Sequence, residues 1–278
     1  MIDTIEKISD CMVQHGAHND RVYLIKLAEG CASEMISHVE QLAQKNNYSK
    51  IFAKVPEWAL AEFQKSGYMI EAVVPRFYDG AQDGFFIAKY LDALRWEEQH
   101  PDTVSDVLAT AKEKAEQSCD VTLDTDCTMD VVGENDVLDV CSVYKQVFES
   151  YPFPIHDPNY IIKTMKESSV YFCIRKDGEI ISVASSEMDA AGKNVEMTDF
   201  ATMRDYRGSG FASLLLGKME QEMALRGMKT AYTIARSLSY GMNITFAKQG
   251  YQYAGTLTNN TNICGHMESM NVWYKHLT

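Results

Sequence analysis

The sequence predicts a mixed α/β protein of two units, in which the first is a partial copy of the complete second one. Residues 194–222 pass from a β-prone run through a glycine turn into a helix with an apolar face. An αβαββ order occurs both before residue 95 and at the C-terminal end. A length of 278 residues, 46% of them hydrophobic and without low-complexity tracts, supplies a large core.

Residues 1–20 read as a mixed segment, and Arg21-Val22-Tyr23-Leu24-Ile25-Lys26-Leu27 reads as a strand. Met35, Ile36, Val39 and Leu42 then share one helical face, with the helix ending near Lys45-Asn46-Asn47. Ile51-Phe52-Ala53-Lys54-Val55 is a strand, Pro56 opens a helix over 58–64, and strands at 69–74 and 85–90 complete a unit spanning 1–95. Residues 96–120 predict a helical connector with a stripe of Val104, Val107 and Leu108.

The second unit, 121–278, opens with a strand near Val121 and a helix over 135–148 whose apolar face is Val137, Leu138, Val140, Cys141 and Tyr144. Three prolines between 152 and 158 fix the backbone of the following loop. The turn Lys176-Asp177-Gly178-Glu179 makes a hairpin of 170–175 and 180–187. Another turn, Ala191-Gly192-Lys193, leads into the stretch 194–222, whose helix starts near Gly210 and carries Leu214, Leu215, Met219 and Met223. A strand, a helix and two strands finish the chain.

Local similarity accompanies the repeated order. Phe63-Gln64-Lys65-Ser66-Gly67-Tyr68 matches Phe246-Ala247-Lys248-Gln249-Gly250-Tyr251, each at a helix end where glycine takes the left-handed cap. The closing strands Phe86-Ile87-Ala88-Lys89-Tyr90 and Val272-Trp273-Tyr274-Lys275-His276 also look alike. A chance match of short cap patterns is the competing explanation.

A net charge of −13 argues against general binding to nucleic acid or to anionic membranes, both of which call for a basic face. It suits a small cationic substrate and serves solubility equally well. Seven cysteines, Cys11, Cys31, Cys119, Cys127, Cys141, Cys173 and Cys264, are odd in number and contain no Cys-x-x-Cys pair. They read as reduced thiols rather than a disulfide framework or zinc site, so no metal is expected. The segment Met1-Ile2-Asp3-Thr4-Ile5-Glu6 has neither a basic n-region nor an apolar h-region, and no run approaches the ~18 apolar residues of a membrane span. A cytoplasmic protein is expected; its oligomeric state is open, a homodimer being one option.

At the central junction the first amides of the helix have no partner inside the helix, and the summed peptide dipole makes that end positive. A pyrophosphate fits there when no side chain blocks it. Gly208 and Gly210 leave the approach clear and Arg207 adds a fixed charge, so Gly210→Val is expected to abolish cofactor binding with little loss of fold. Neither a third glycine with a following acid, as in dinucleotide folds, nor the Gly-Lys-Ser/Thr of a P-loop is present.

Arg207-Gly208-Ser209-Gly210-Phe211-Ala212 resembles the acetyl-CoA pyrophosphate loop of the GNAT acetyltransferase superfamily, with Arg207, Gly210 and Ala212 in its fixed places. The element order of 121–278 is the GNAT order, whereas the first unit lacks this turn and is expected to hold no cofactor. The wording of Phe148-Glu149-Ser150-Tyr151-Pro152-Phe153-Pro154-Ile155-His156-Asp157-Pro158, Met242-Asn243-Ile244-Thr245-Phe246 and Gly255-Thr256-Leu257-Thr258-Asn259-Asn260 is similar to the β-lysine N-acetyltransferase family. So are Glu268-Ser269-Met270-Asn271-Val272-Trp273-Tyr274 and, in the first unit, Ile51-Phe52-Ala53-Lys54-Val55-Pro56 and Arg76-Phe77-Tyr78. The resemblance thus spans nearly the whole chain. It implies acetyl transfer from acetyl-CoA to the ε-amine of β-lysine, giving the osmolyte Nε-acetyl-β-lysine. An acetyltransferase for another small amine, such as lysine or a polyamine, and a non-catalytic acyl-CoA sensor are the alternatives.

Acetyl transfer needs the thioester beside the amine, a base for the ammonium's proton, and support for the oxyanion and thiolate. The resemblance makes Glu196 the candidate base, with Asp199 on the other side of a regular strand unless a β-bulge exchanges their exposure. The tyrosine that the superfamily often carries near the end of the last helix is Phe246 here, and its common asparagine is Ser239, which leaves Tyr240 and Asn243 as nearby alternatives. The cofactor is expected against Ala201, Thr202, Arg207, Gly208, Ser209, Gly210, Phe211, Ala212, Ser239 and Asn243. Tyr151, Phe153, His156 and Asp157 are expected to bind the acceptor, with Glu187 and Arg175 as further charged candidates and surface pairing favoured for Arg175.

Overall fold

Alternating apolar strands interrupted by amphipathic helices produce one continuous sheet in the computed structural model, which describes residues 3–117, 121–149 and 151–277. Met1, Ile2, Cys119 and Ser150, quoted above, lie outside the described residues. The first half runs β1 (Thr4–Ile8), β2 (Cys11–Gly16), β3 (Arg21–Lys26), α1 (Ala32–Asn46), β4 (Lys50–Pro56), α2 (Glu57–Lys65), β5 (Met69–Tyr78) and β6 (Gln82–Tyr90). The connector is α3 (Pro101–Lys114). There follow β7 (Cys127–Val131), α4 (Val137–Val147), α5 (Pro158–Glu167), β8 (Ser169–Lys176), β9 (Glu179–Asp189) and β10 (Asn194–Thr202). The chain closes with α6 (Phe211–Leu225), β11 (Thr230–Arg236), α7 (Tyr240–Lys248), β12 (Gln252–Ile263) and β13 (His266–His276).

Two local expectations change. The mixed segment before Arg21 resolves into the hairpin β1–β2, whose tight turn places Ser9 at φ 54° and whose buried polar Gln14 obscures the apolar alternation. The strand expected at Val121 begins at Cys127 instead. Val121 packs its side chain against the Gly210 turn, and only from Cys127 does a partner strand, β8, run alongside.

The thirteen described strands lie in the order β1-β2-β3-β4-β6-β5-β12-β13-β11-β10-β9-β8-β7. On the first side of the β5/β12 junction stands 3-4-6-5, and on the other 12-13-11-10, the same order reversed. The parallel pair β3/β4 corresponds to the parallel pair β10/β11, and the β5/β6 hairpin to β12/β13. In β3 and β4, Val22, Leu24, Ile51, Ala53 and Val55 join the core with α1 and α2. Their alternate neighbours Arg21, Tyr23, Phe52 and Lys54 turn to the other face of the sheet, as side chains two residues apart must. In β10, Val195 and Met197 pack with α6 while Glu196 and Thr198 turn to that same second face.

The halves meet where Ala72 of β5 stands opposite Gly255 of β12. A Cβ on Gly255 would press into the Glu71 carbonyl oxygen and stand 2.7 Å from Ala72 Cα, both backbone atoms that cannot swing aside. Polar contacts reinforce the junction: Lys50 forms an ion pair with Glu71 at 3.0 Å and donates to the Thr258 carbonyl at 2.7 Å, and Glu71 also accepts from Thr258 N–H at 2.8 Å. Gly255→Ala should therefore cost about 2–3 kcal/mol through overpacking against backbone, read as a lower urea midpoint. A midpoint equal to wild type would mean that the strands do not approach this closely.

Candidate active site

The glycine turn behaves as a helix entrance. Gly210, at φ 75°, is the N-cap residue of α6 and supplies no side-chain cap, so the first turn keeps donors for an incoming anion. Gly208, at φ 86°, faces open space, and Arg207 is exposed with its Nε donating to the Thr202 carbonyl at 3.2 Å. Ser209, Phe211 and Ala212 continue the same backbone path, with the Phe211 ring sunk in the core beneath. These residues fit a pyrophosphate. Gly210→Val is nevertheless not the clean probe expected from sequence. A Cβ there points into this chain's own Val121, 2.7 Å from its Cγ1, in a backbone conformation that a β-branched residue resists.

Upstream of this turn β10 carries a bulge. Asp199 and Phe200 together oppose one residue of β9, Ala184, and Asp199 takes φ 56°. In a regular strand Glu196 and Asp199 would point to opposite faces; the extra residue brings both to one cavity. β10 and β11 pair in parallel only from Asn194 to Glu196, opposite Thr230 to Tyr232, and separate beyond that point. The gap opens beside Ala201 and Thr202, between Glu196 and the entrance of α6.

That cavity, about 740 Å³, lies between the two halves. Glu196 sits opposite Glu187 on β9 and Tyr232 on β11. Tyr232 Oη donates to Glu196 Oε2 at 2.9 Å and accepts from Lys54 Nζ at 2.7 Å, so the first half reaches the candidate base through one phenol. Asp199 is 6% exposed and accepts from Ser185 Oγ at 2.6 Å and from the Tyr151 hydroxyl. Burial pushes all three carboxyls above their ordinary range. For Glu187 the fields of Asp199 and Glu196 add to the rise; for Glu196, Lys54 and the Tyr232 hydrogen bond pull the other way; for Asp199 the donors do. Burial also works against the charge on Lys54, but Tyr23 and Glu196 outweigh it and its pKa is raised.

Several expected site residues stand elsewhere. Asn243 is fully buried, and its amide is used up: Nδ2 donates to the carbonyls of Arg236 and Ser239 at 2.9 and 2.7 Å, and Oδ1 accepts from Asn271 Nδ2 and Trp273 Nε1. It braces α7 against β13 and has nothing left for a cofactor. Ser239 is the N-cap of α7 and accepts from Met242 N–H. The Tyr240 hydroxyl, at the surface, donates to Asp106 of the connector helix and does not line the cavity. Asp157 caps α5 by accepting from Asn159 N–H at 2.9 Å, and neither it nor His156 lines the cavity. Tyr151 and Phe153 do line it, although the Tyr151 hydroxyl is spent on Asp199 rather than on open space. Arg175 pairs with Asp136 at 2.9 Å and Asp130 at 3.8 Å.

Lys54, Tyr232, Tyr23 and Arg21 were missed by sequence reasoning. The available signal was Lys54 itself, a charge set between the apolar Ile51, Phe52, Ala53 and Val55 in a strand that is buried along its whole length.

The Acetyltransferase (GNAT) family model matches residues 139–251, which contain the bulged strand, the glycine turn and α6. A β-lysine N(6)-acetyltransferase of Methanococcus maripaludis is 40% identical over 99% of this chain and 99% of its own. The chain belongs to the β-lysine N-acetyltransferase family of the GNAT superfamily. A second family member, from Methanosarcina mazei, is 30% identical over 89% of this chain and 98% of its own, and the N-acetyltransferase YodP of Bacillus subtilis is 29% identical over 96% of each. In this N-acetyltransferase the matched GNAT segment contains Glu187, Glu196, Asp199 and Tyr232, while Lys54 lies outside it, in the part of the chain that the β-lysine N(6)-acetyltransferases share.

The exposed Arg207 offers the better test of the phosphate cradle. Arg207→Gln should weaken coenzyme A binding by about tenfold at low salt, with a smaller loss at high salt, while the thermal midpoint stays put. Equal affinities by calorimetry at low salt would remove Arg207 from the cradle.

Proposed function

We propose that this enzyme moves the acetyl group of acetyl-CoA to the ε-amine of β-lysine. The carrying observation is the charge pattern of the cavity, whose lining carries seven acidic side chains, Glu187, Glu196 and Asp199 among them, against the three basic ones of Arg21, Lys26 and Lys54, an excess that stands even with Glu187 protonated. β-Lysine carries two ammonium groups and one carboxylate at neutral pH, a net charge of +1 that would complement this wall. The two curated relatives named β-lysine N(6)-acetyltransferases support the same acceptor. The product has no net charge and accumulates without a counter-ion, as an osmolyte should. A cytoplasmic setting agrees with the buried thiols of Cys11, Cys127, Cys141 and Cys173.

Acetyl-CoA supplies an activated carbonyl and a thiolate leaving group. The backbone at Gly208 and Gly210 with Arg207 would hold its pyrophosphate, and the gap between β10 and β11 leaves room for the thioester arm to approach Glu196. An ε-ammonium with a pKa near ~10.4 is almost wholly protonated at pH 7 and cannot attack. Glu196 takes that proton, directly or through one water, while Tyr232 and Lys54 keep its carboxylate aimed. Asp199, fixed by Tyr151, holds positive charge beside it, while Glu187, its carboxyl pushed up to about 8, keeps its proton at pH 7. Phe246 lies in the apolar core with no proton to give, so the thiolate takes its proton from water.

Thiol release from acetyl-CoA, followed with β-lysine, lysine and polyamines and checked by mass spectrometry for one added acetyl group, tests the reaction. Preference for a polyamine would replace the acceptor, and no release with any amine would leave a sensor. Because the Glu196 pKa is raised above 4.5, the base is lost as pH falls through a value higher than that, so the acid limb of kcat/KM should lie above pH 4.5. Glu196→Gln should remove that limb, lower kcat by about 10²–10⁴-fold at pH 7, and recover part of the loss by roughly pH 9.5 as free amine appears. A deficit independent of pH would assign the role to Asp199.

A further inference from the structure

Four cations in the first half or its border are buried: Arg21 at 4% exposure, Lys50 at 0%, Lys54 at 9% and Arg95 at 7%. Each should have an anionic or strong polar partner, since an uncompensated buried charge is costly. Lys50 has Glu71 at 3.0 Å, Arg95 has Asp20 at 3.4 Å, and Lys54 has the phenol bound to Glu196. Arg21 differs. Among the described residues no carboxylate stands within ion-pair distance of it, and its buried Nε has no hydrogen-bond partner. One nitrogen, Nη1, donates to the Asn260 carbonyl and, at 3.4 Å, to Thr261 Oγ1. The guanidinium lies over Tyr23, 5.2 Å from the ring centroid, and borders the acceptor cavity. Burial lowers its pKa only to about 10, so it is charged at neutral pH.

A charged guanidinium with one committed nitrogen and an unpartnered Nε offers donors that suit a carboxylate. The acids Glu187, Glu196 and Asp199 belong to β9 and β10, while Arg21 opens β3 of the other half. We propose that Arg21 binds the carboxylate of the acceptor, so that the first half of the chain selects amino acids over simple diamines. Asn260, whose Oδ1 is buried, unpartnered and also borders the cavity, stands beside Arg21 to accept from the ammonium nearest that carboxylate. The inference rests on reading this cavity as the acceptor site and gives the role that reading lacks, a discriminator of acceptor chemistry.

Calorimetry on the full chain saturated with coenzyme A tests it with 6-aminohexanoate and its uncharged twin, 6-aminohexanamide. Wild type should bind the acid about tenfold to a hundredfold more tightly than the amide, as expected for a charge-assisted pair removed from bulk water. Arg21→Gln should erase that ratio by weakening the acid alone, and Arg21→Lys should keep part of it. Equal binding of the two ligands by wild type, or binding of neither, overturns the proposal without any variant being needed. A ratio that survives Arg21→Gln, or equal losses for both ligands, overturns it too. Whether β-lysine is acetylated is read separately from thiol release, so the acceptor reading and the role of Arg21 can fail independently.

Discussion

The hydrogen-bonded line from Lys54 through Tyr232 to Glu196 is the interaction on which the site depends. A carboxylate placed opposite Glu187 and near Asp199 would be forced toward its neutral form by burial and like charge alone. Lys54 supplies the opposing charge, and Tyr232 passes it on without bringing the ammonium to the place where an amine must enter. Lys54 stands on β4 and Tyr232 on β11, strands that are not neighbours in the sheet but whose side chains converge because the two halves share it. The close backbone approach at Gly255 thus shapes the cavity as much as the fold.

The bulge in β10 solves a second geometric problem. A flat strand displays alternate residues to opposite faces, so acids three positions apart cannot serve one cavity. One extra residue at Asp199 and Phe200 corrects the phase, and beyond Glu196 β10 no longer pairs with β11. Tyr151 and Ser185 then hold the turned carboxylate. Burial raises the proton affinity of all three acids, and the field of Asp199 adds to the rise at Glu187 and Glu196, a condition suited to a base that works near neutral pH.

Much of this was legible in the sequence, and the limits have physical causes. The helix entrance at residues 207–212 could be read because it is local: glycine, charge and helix onset are adjacent in the chain. Glu196 could be placed because it precedes that turn on the same strand. Arg21 and Lys54 could not, since they reach the cavity through side-chain contacts with residues 178 to 240 positions away, and neither has a local pattern. Asn243 and Asp157 show the opposite case. Their residue types suit a site, but each is consumed by its own neighbourhood, one as a brace between α7 and β13 and the other as a helix cap.

Fusing two similar halves through β5 and β12 also changes the exposure of backbone. Two separate sheets would present four outer strands, each with a row of unsatisfied amides ready to recruit strands from other molecules. Joined, the thirteen described strands leave two, β1 and β7. Both are only five residues long, and both carry charge, Glu6 and Lys7 in one and Asp130 in the other. The arrangement that closes a cavity between the halves therefore also guards the protein against self-association into fibres.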